Sequence, residues 1–348
     1  MNVFSPIASF SDPASRYRIL QYRHPLAKEG IHLHCRSYKP ERNTDPPGWM
    51  IGLRKFTGIN EWRINNLIKI AGRLPLLIKQ SQYDLIWQNR LILPFSHSIE
   101  KKWKKPFVFD FDDAIWINEG EKQTAAAFRE AAMVIAGNDF LAEYASAFTS
   151  RIRIIPTVVD TNAVYPLEKK DQPFTIGWIG SAGNINYLEP VKPAILEFLR
   201  LNPDARFVLV SSAPGNLFPF DGQRIIFRPW TPESENELIN SFSVGLMPLP
   251  DTEYSKGKCS FKMLQYMACA VPVLVSPVGT NKKILNESQS GLSASDTSSW
   301  LAGLQTLRSD FSLYAACSGN GPAYTARNYS LKEYTPVMAA LLHELSGK

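Results

Sequence analysis

The chain has 348 residues, 45% hydrophobic and 20% charged, a composition that excludes disorder and a length that favours two α/β domains over one core. Its net charge of +6 is uneven: residues 1–156 hold 22 Lys and Arg against 15 Asp and Glu, whereas residues 157–348 hold 16 against 17. No apolar stretch approaches the ~20 residues that a membrane-spanning helix needs, and the start MNVFSPIASFSDP lacks the basic flank and apolar run of a signal peptide.

Along the chain, short apolar runs alternate with amphipathic segments, the pattern of parallel sheets covered by helices. The first half predicts strands at Val3–Ile7, His32–Arg36, Tyr83–Trp87, Phe107–Asp110, Met133–Ala136 and Ile152–Pro156. A helix over Ala14–Glu29 buries Ile19, Leu20 and Leu26 and stops at Gly30, and Asn60–Gln80 reads as a helical region interrupted by Pro75. Residues 158–173 are polar, contain two prolines and lack periodicity, so they read as a linker. Strands resume at Thr175–Ile179, Phe207–Ser211, Ile225–Phe227, Ser243–Pro248 and Val271–Ser276, with a helix over Leu188–Leu201 and a last amphipathic helix over Ser330–Leu345. The expected organisation is a domain over 1–157, completed by a C-terminal helix at 330–348, and a second domain over 174–329. Two doubly wound, Rossmann-like domains facing each other across a cleft would bind ligands at the carboxyl ends of both sheets.

The four cysteines (Cys35, Cys259, Cys269, Cys317) show neither CxxC nor Cys/His metal spacing, so reduced thiols and a cytoplasmic setting are expected. The basic excess of the first half calls for an acidic partner. No nucleic-acid-binding motif is present and the basic residues do not alternate with aromatic stacking groups, which argues against nucleic acid. Arg54, Lys55, Arg63, Lys69, Arg73 and Lys79 occur among Trp49, Phe56, Trp62 and Leu67, and Lys101–Lys105 reads KKWKK. This pattern suits peripheral docking at an anionic membrane surface, and equally describes ordinary solvated helix faces.

Two constellations carry chemistry. Thr175–Ser181 (TIGWIGS) is a strand ending in Gly180 and Ser181, where backbone N–H groups can approach a ligand. A second strand leads through Met247–Pro250 and a polar loop into FKMLQYMACA, where Phe261, Leu264 and Met267 have helical spacing. Lys258 and Lys262, four apart, would share one face at that helix start and hold a diphosphate. In the first half, FVFDFDDAIWI sets Asp110, Asp112 and Asp113 directly after a buried strand, either as acceptor-activating carboxylates or as loop and helix caps. Arg16 and Arg18 open the first predicted helix, where Arg16 is a candidate phosphate or acceptor ligand.

Gly257–Gly279 (GKCSFKMLQYMACAVPVLVSPVG) resembles the donor-binding segment of family-4 glycosyltransferases with the GT-B fold, "glycosyl transferases group 1". Gly177–Leu188 (GWIGSAGNINYL) and Phe227–Trp230 (FRPW) resemble the same family's first and middle donor-domain segments, and Arg153–Asp160 (RIIPTVVD) its interdomain crossing. Ser15–Tyr22, Val108–Trp116 and Ala136–Ala145 resemble a bacterial surface-polysaccharide branch. The resemblance implies two Rossmann-like domains and metal-independent transfer of a sugar, with retention, from a nucleoside diphosphate sugar to a saccharide or lipid-linked acceptor. No cofactor beyond that donor is implied. Cytoplasmic polysaccharide or lipopolysaccharide synthesis, peripheral on the plasma membrane, is the implied context.

Carried over by position, Gly180, Ser181, Trp230, Lys258, Cys259, Ser260, Phe261, Lys262 and Gln265 would bind the donor, and Asp112 and Asp113 would be catalytic. Gly257 and Gln265 stand where many members have two glutamates, which also admits a nucleotide-sugar-binding protein with lost or epimerase-like activity. The strand-then-DxD pattern also resembles haloacid-dehalogenase phosphatases, with Asp110 as nucleophile. Ala114, standing where that family has Thr or Val, speaks against it.

Overall fold

The alternating apolar runs form two six-stranded sheets in which every strand pair is parallel. The computed structural model describes residues 1–38, 76–77, 80–95, 100–168 and 172–347. The basic residues from Arg54 to Lys79, their neighbouring aromatic residues and almost all of the predicted Asn60–Gln80 helix lie outside the described residues.

In the first sheet, β1 (Asn2–Ile7), β2 (His32–Ser37), β3 (Leu85–Asn89), β4 (Phe107–Phe111), β5 (Met133–Ala136) and β6 (Ile152–Ile154) lie in the order β2-β1-β3-β4-β5-β6. In the second, β7 (Thr175–Ile179), β8 (Arg206–Ser211), β9 (Ile225–Pro229), β10 (Val244–Met247), β11 (Val273–Val275) and β12 (Gly291–Ser293) lie in the order β12-β11-β10-β7-β8-β9. Both orders reverse beside their first strand, at β1/β3 and at β7/β10, the switch points at which doubly wound sheets bind ligands. Every residue of β3, β4 and β7 is buried, which explains why these strands read as unbroken apolar runs.

The helices whose bounds lie among the described residues are α1 (Pro13–Arg18), α2 (Arg23–Lys28), α3 (Ile115–Glu119), α4 (Glu121–Glu130), α5 (Asp139–Ser146), α6 (Lys192–Leu201), α7 (Glu235–Asn240), α8 (Glu253–Lys256), α9 (Phe261–Ala268), α10 (Thr280–Ser288), α11 (Thr297–Ser309), α12 (Phe311–Asn328) and α13 (Leu331–Ser346). The chain divides into one unit of Met1–Pro156 with Thr335–Lys348 and a second of Thr157–Tyr334. Residues read as a linker pack within the second unit. Val158, Val159 and Val164 are buried, Val159 bridges Ser330, and the amides of Tyr165 and Leu167 donate to Asn236 and Asn240.

The single helix expected over Ala14–Glu29 is broken into α1, a 3-10 turn at Leu20–Tyr22 and α2. Pro25 explains the break: in a continuous helix its ring would meet the carbonyl of Gln21, whereas in the first turn of α2 it is tolerated. The helix then ends before Gly30 as expected, and Gly30 has φ of +75°. The helix expected from Leu188 begins only at Lys192, after a 3-10 stretch at Ala182–Leu188, with Pro193 in its first turn. Strand β12 was not anticipated, because Gly-Leu-Ser has little intrinsic strand character and is held by its register on β11.

The first unit is tied by Arg18. Its Nε donates to Asp110 at 2.8 Å and its Nη1 to the Ile155 carbonyl at 2.9 Å, with both side chains of the ion pair almost wholly buried. Trp87 donates its indole N–H to the other Asp110 oxygen at 3.1 Å. Burial pushes the Asp110 carboxyl up, against the opposing pull of Arg18. Arg18→Ala would strand a buried carboxylate, so a destabilisation of roughly 3–5 kcal/mol is expected. Chemical denaturation measures it, and a loss under about 1 kcal/mol would contradict the buried-pair role.

Candidate functional site

In the second unit, the site grows from the way α9 is seated. Met263, Leu264, Tyr266 and Met267 have no exposed surface, each contributing about 1.5–3 kcal/mol of burial. The Tyr266 ring occupies the space that a Cβ on Gly245 of β10 would need. Its hydroxyl accepts from the Ile179 amide at 3.0 Å and donates to the Leu246 carbonyl at 3.3 Å. The amino end of α9 is thereby pinned to the carboxyl ends of β7 and β10, the switch point of the sheet.

Lys262, in the first turn of α9, extends along Gly180. A Cβ there would lie 2.7 Å from the Lys262 Cε and 2.6 Å from the Trp178 ring, so only glycine leaves room. The Lys262 ammonium stands 5.8 Å from the centre of Trp178. Lys258 precedes the helix rather than sharing a helical face with Lys262, because α9 starts at Phe261. It still reaches the same segment, with its ammonium 4.6 Å from the Tyr254 ring and 5.6 Å from the Tyr187 ring. The Lys262 side chain therefore lies along Gly180 and the Lys258 ammonium faces Tyr187, at the two ends of the segment that follows β7, and an aromatic face lies beside each ammonium.

Ser181 leads into the 3-10 stretch with extended backbone and makes no capping bond through its side chain. Cys259 is buried with its Sγ 4.0 Å from the Gly257 carbonyl. Ser260 is buried and left-handed, at φ of 55° and ψ of 25°. Phe261 packs on the same apolar cluster as Tyr187 and Trp230. Trp230 donates its indole N–H to Glu235 at 2.9 Å. Gln265 is 3% exposed, and its amide nitrogen has no hydrogen-bond partner among the described residues. Buried donors without partners are rare, and this one is suited to an acceptor supplied by a ligand.

In the first unit, the acidic run separates into two environments. Asp110 is the internal anchor described above, closed to solvent, which removes it as a phosphatase nucleophile. Asp112 and Asp113 lie past the end of β4 and share Arg90, a residue that sequence reasoning missed. Arg90 Nη2 is 2.9 Å from Asp112 Oδ1 and 2.5 Å from Asp113 Oδ2, its Nε is 3.1 Å from Asp112, and Nη1 is 3.9 Å from Glu119. Burial opposes the Arg90 charge, but Asp112, Asp113 and Glu119 outweigh it and push the guanidinium up. Arg90 has φ of 59° and Phe95, in the same loop, 56°; strained non-glycine residues of this kind concentrate at functional sites.

Arg16 lies over the Tyr17 ring at 5.0 Å and is half-buried, in contrast to the buried Arg18. Trp103 of the KKWKK run donates to Gln88 at 2.9 Å and sets its edge against Phe4, so it serves packing in the first unit. No helix among the described residues is long and apolar enough to cross a membrane.

Two parallel doubly wound sheets, the second with a basic, aromatic-lined switch point, define the GT-B architecture. Residues 173–310 match the family described as "Glycosyl transferases group 1", and the chain has the GT-B fold. The fold is similar to sucrose-phosphate synthase from Thermosynechococcus elongatus, at 14% identity and TM-score 0.72 over 99% of each chain. It is also similar to HepE of Anabaena in complex with UDP-glucose, at 13% identity and TM-score 0.68 over 99% of this chain and 100% of that one. A third similar structure is WaaG, a glycosyltransferase involved in lipopolysaccharide biosynthesis, at 13% identity and TM-score 0.66 over 98% and 99% of the two chains. No curated protein sequence matches the chain.

Arg90→Ala removes the guanidinium that Asp112 and Asp113 share, and a destabilisation of roughly 1.5–3 kcal/mol is expected from the loss of these charged hydrogen bonds. Chemical denaturation measures it, and unchanged stability would show that Arg90 does not hold the two carboxylates in place.

Proposed function

We propose that the chain transfers a sugar from a nucleoside diphosphate sugar to a saccharide or lipid-linked acceptor, with retention at the anomeric carbon and without a metal ion. The observation that carries this reading is the placement of Lys262 along Gly180 and of Lys258 against Tyr187, in the segment that leaves the β7/β10 switch point. As the bond from the anomeric carbon to the diphosphate oxygen breaks, negative charge develops on the leaving group. Two ammonium groups and the amino end of α9 supply positive potential there before reaction begins. The unpartnered amide of Gln265 serves a ribose hydroxyl. Ser181, Cys259, Ser260 and Phe261 contribute backbone around the donor, and Trp230 borders it.

On the acceptor side, Asp112 orients the attacking hydroxyl while Arg90 holds the Asp112 and Asp113 carboxylates in place. Arg16 is assigned to acceptor or donor phosphate. Metal independence belongs to the proposal because lysines occupy the charge-neutralising role. The likeness to HepE solved with UDP-glucose supports a nucleotide-sugar donor. The likeness to WaaG supports surface-polysaccharide or lipopolysaccharide synthesis. A second reading, nucleotide-sugar binding without turnover, is favoured by one feature: Gly257 is buried and offers no side chain to grip the sugar.

A thermal-shift series with UDP-, GDP- and ADP-sugars identifies the donor base by the largest stabilisation. Combining Lys258→Ala with Lys262→Ala is expected to weaken binding of that nucleotide roughly 100-fold, because charged hydrogen bonds contribute about 1.5–3 kcal/mol each. Titration calorimetry reads the effect, and unchanged affinity would remove the phosphate assignment. Assays of sugar transfer with membrane extract separate the two readings: donor binding without turnover on any acceptor supports the second.

A further inference from the structure

The amino end of α9 is built unlike an ordinary helix start. A serine at the N-cap normally has extended backbone and turns its oxygen back to accept an N–H of the first turn. Ser260 does neither: it is left-handed, at φ of 55°, and makes no side-chain capping bond. Its hydroxyl instead donates to Asn281 Oδ1 at 2.6 Å. Asn281, in the first turn of α10, is completely buried. Its amide donates to the Ser276 carbonyl at 3.2 Å and to the Met247 carbonyl at 3.4 Å. Ser276 Oγ in turn accepts from the Leu249 amide at 2.9 Å. One side chain thus joins the ends of β10 and β11 to the start of α9. The backbone of Lys256 closes the same assembly by lying against Gly279, where a Cβ would come within 2.9 Å.

We propose that Asn281 is a positioning residue for the diphosphate: by taking the Ser260 hydroxyl it holds Ser260 left-handed and withholds it from capping, so that the first-turn N–H groups of α9 serve the leaving phosphate. The inference rests on the nucleoside diphosphate reading of this site. A left-handed backbone is disfavoured for a residue with a Cβ, so it persists only where its surroundings impose it. The Asn281 bond supplies that constraint. Without it, Ser260 relaxes to an extended N-cap, its oxygen covers the N–H groups, and Lys258 shifts with the loop.

The test uses whichever of UDP, GDP and ADP the wild type binds, together with the matching nucleoside, in ligand-observed NMR titrations. Asn281→Ala is expected to weaken the diphosphate about tenfold or more while leaving the nucleoside within about twofold, since only phosphate contacts are displaced. Ser260→Gly added to Asn281→Ala is expected to restore diphosphate affinity to within about threefold of wild type, because glycine adopts the left-handed backbone unaided and has no hydroxyl to cap with. If Asn281→Ala does not fold, Asn281→Ser carries the same contrast between diphosphate and nucleoside, because the shorter side chain releases the Ser260 hydroxyl. Equal weakening of both ligands, unchanged diphosphate affinity, or absence of rescue by Ser260→Gly would each overturn the proposal. A wild type that binds none of the diphosphates would overturn the site reading itself, and is distinguished by that result alone.

Discussion

The hydroxyl of Tyr266 is where the architecture of the second unit's switch point is held. It bridges the Ile179 amide and the Leu246 carbonyl, while its ring lies against Gly245. Burial pushes the phenol up, so it stays neutral and keeps both bonds at any physiological pH. A buried hydroxyl that both donates and accepts fixes the height and rotation of α9 on the sheet. Lys262, one turn earlier on the same helix face, is thereby laid over Gly180. The placement of Ser260, and of the loop carrying Lys258, depends on the same seat.

The first unit divides its charges by depth. Asp110, still within β4, points into the protein and meets Arg18 and Trp87, while Arg18 reaches the chain after β6, so that one carboxylate and one guanidinium join four segments. Asp112 and Asp113, just beyond the strand, point outward and meet Arg90 at the end of β3. The two arginine–aspartate groups are close in sequence terms but opposite in role. The buried group gives the sheet its rigidity. The rim group leaves carboxylates partly open, in a loop with two left-handed residues whose cost the surrounding bonds to Glu119 and Asp110 sustain.

Much of the architecture was legible because parallel strands leave strong marks. Met133–Ala136 and Thr175–Ile179 were placed to the residue, since strands buried on both faces must be continuously apolar. Where turn chemistry intervened, local reading failed: Pro25 divides the first helix, and β12 has no strand-like residues of its own. Of the site, Gly180, Lys258 and Lys262 were legible as residue types that suit a diphosphate. Arg90 and Asn281 were not. Arg90 follows its strand as any surface arginine might, and Asn281 sits in Thr-Asn-Lys-Lys, which reads as a polar helix start.

The sequence by itself determined the alternation of strand and helix, the two-sheet class and the family resemblance, because these follow from hydrophobic period and local motif. Only the tertiary structure decided which charges are paired. Arg18 reaches an aspartate 92 residues away, Arg90 reaches two more at distances of 22 and 23 residues, and Ser260 finds Asn281 across 21. Such pairings depend on which strand ends are neighbours and on how deep each side chain lies. Both are set by sheet order and burial, which no local pattern records.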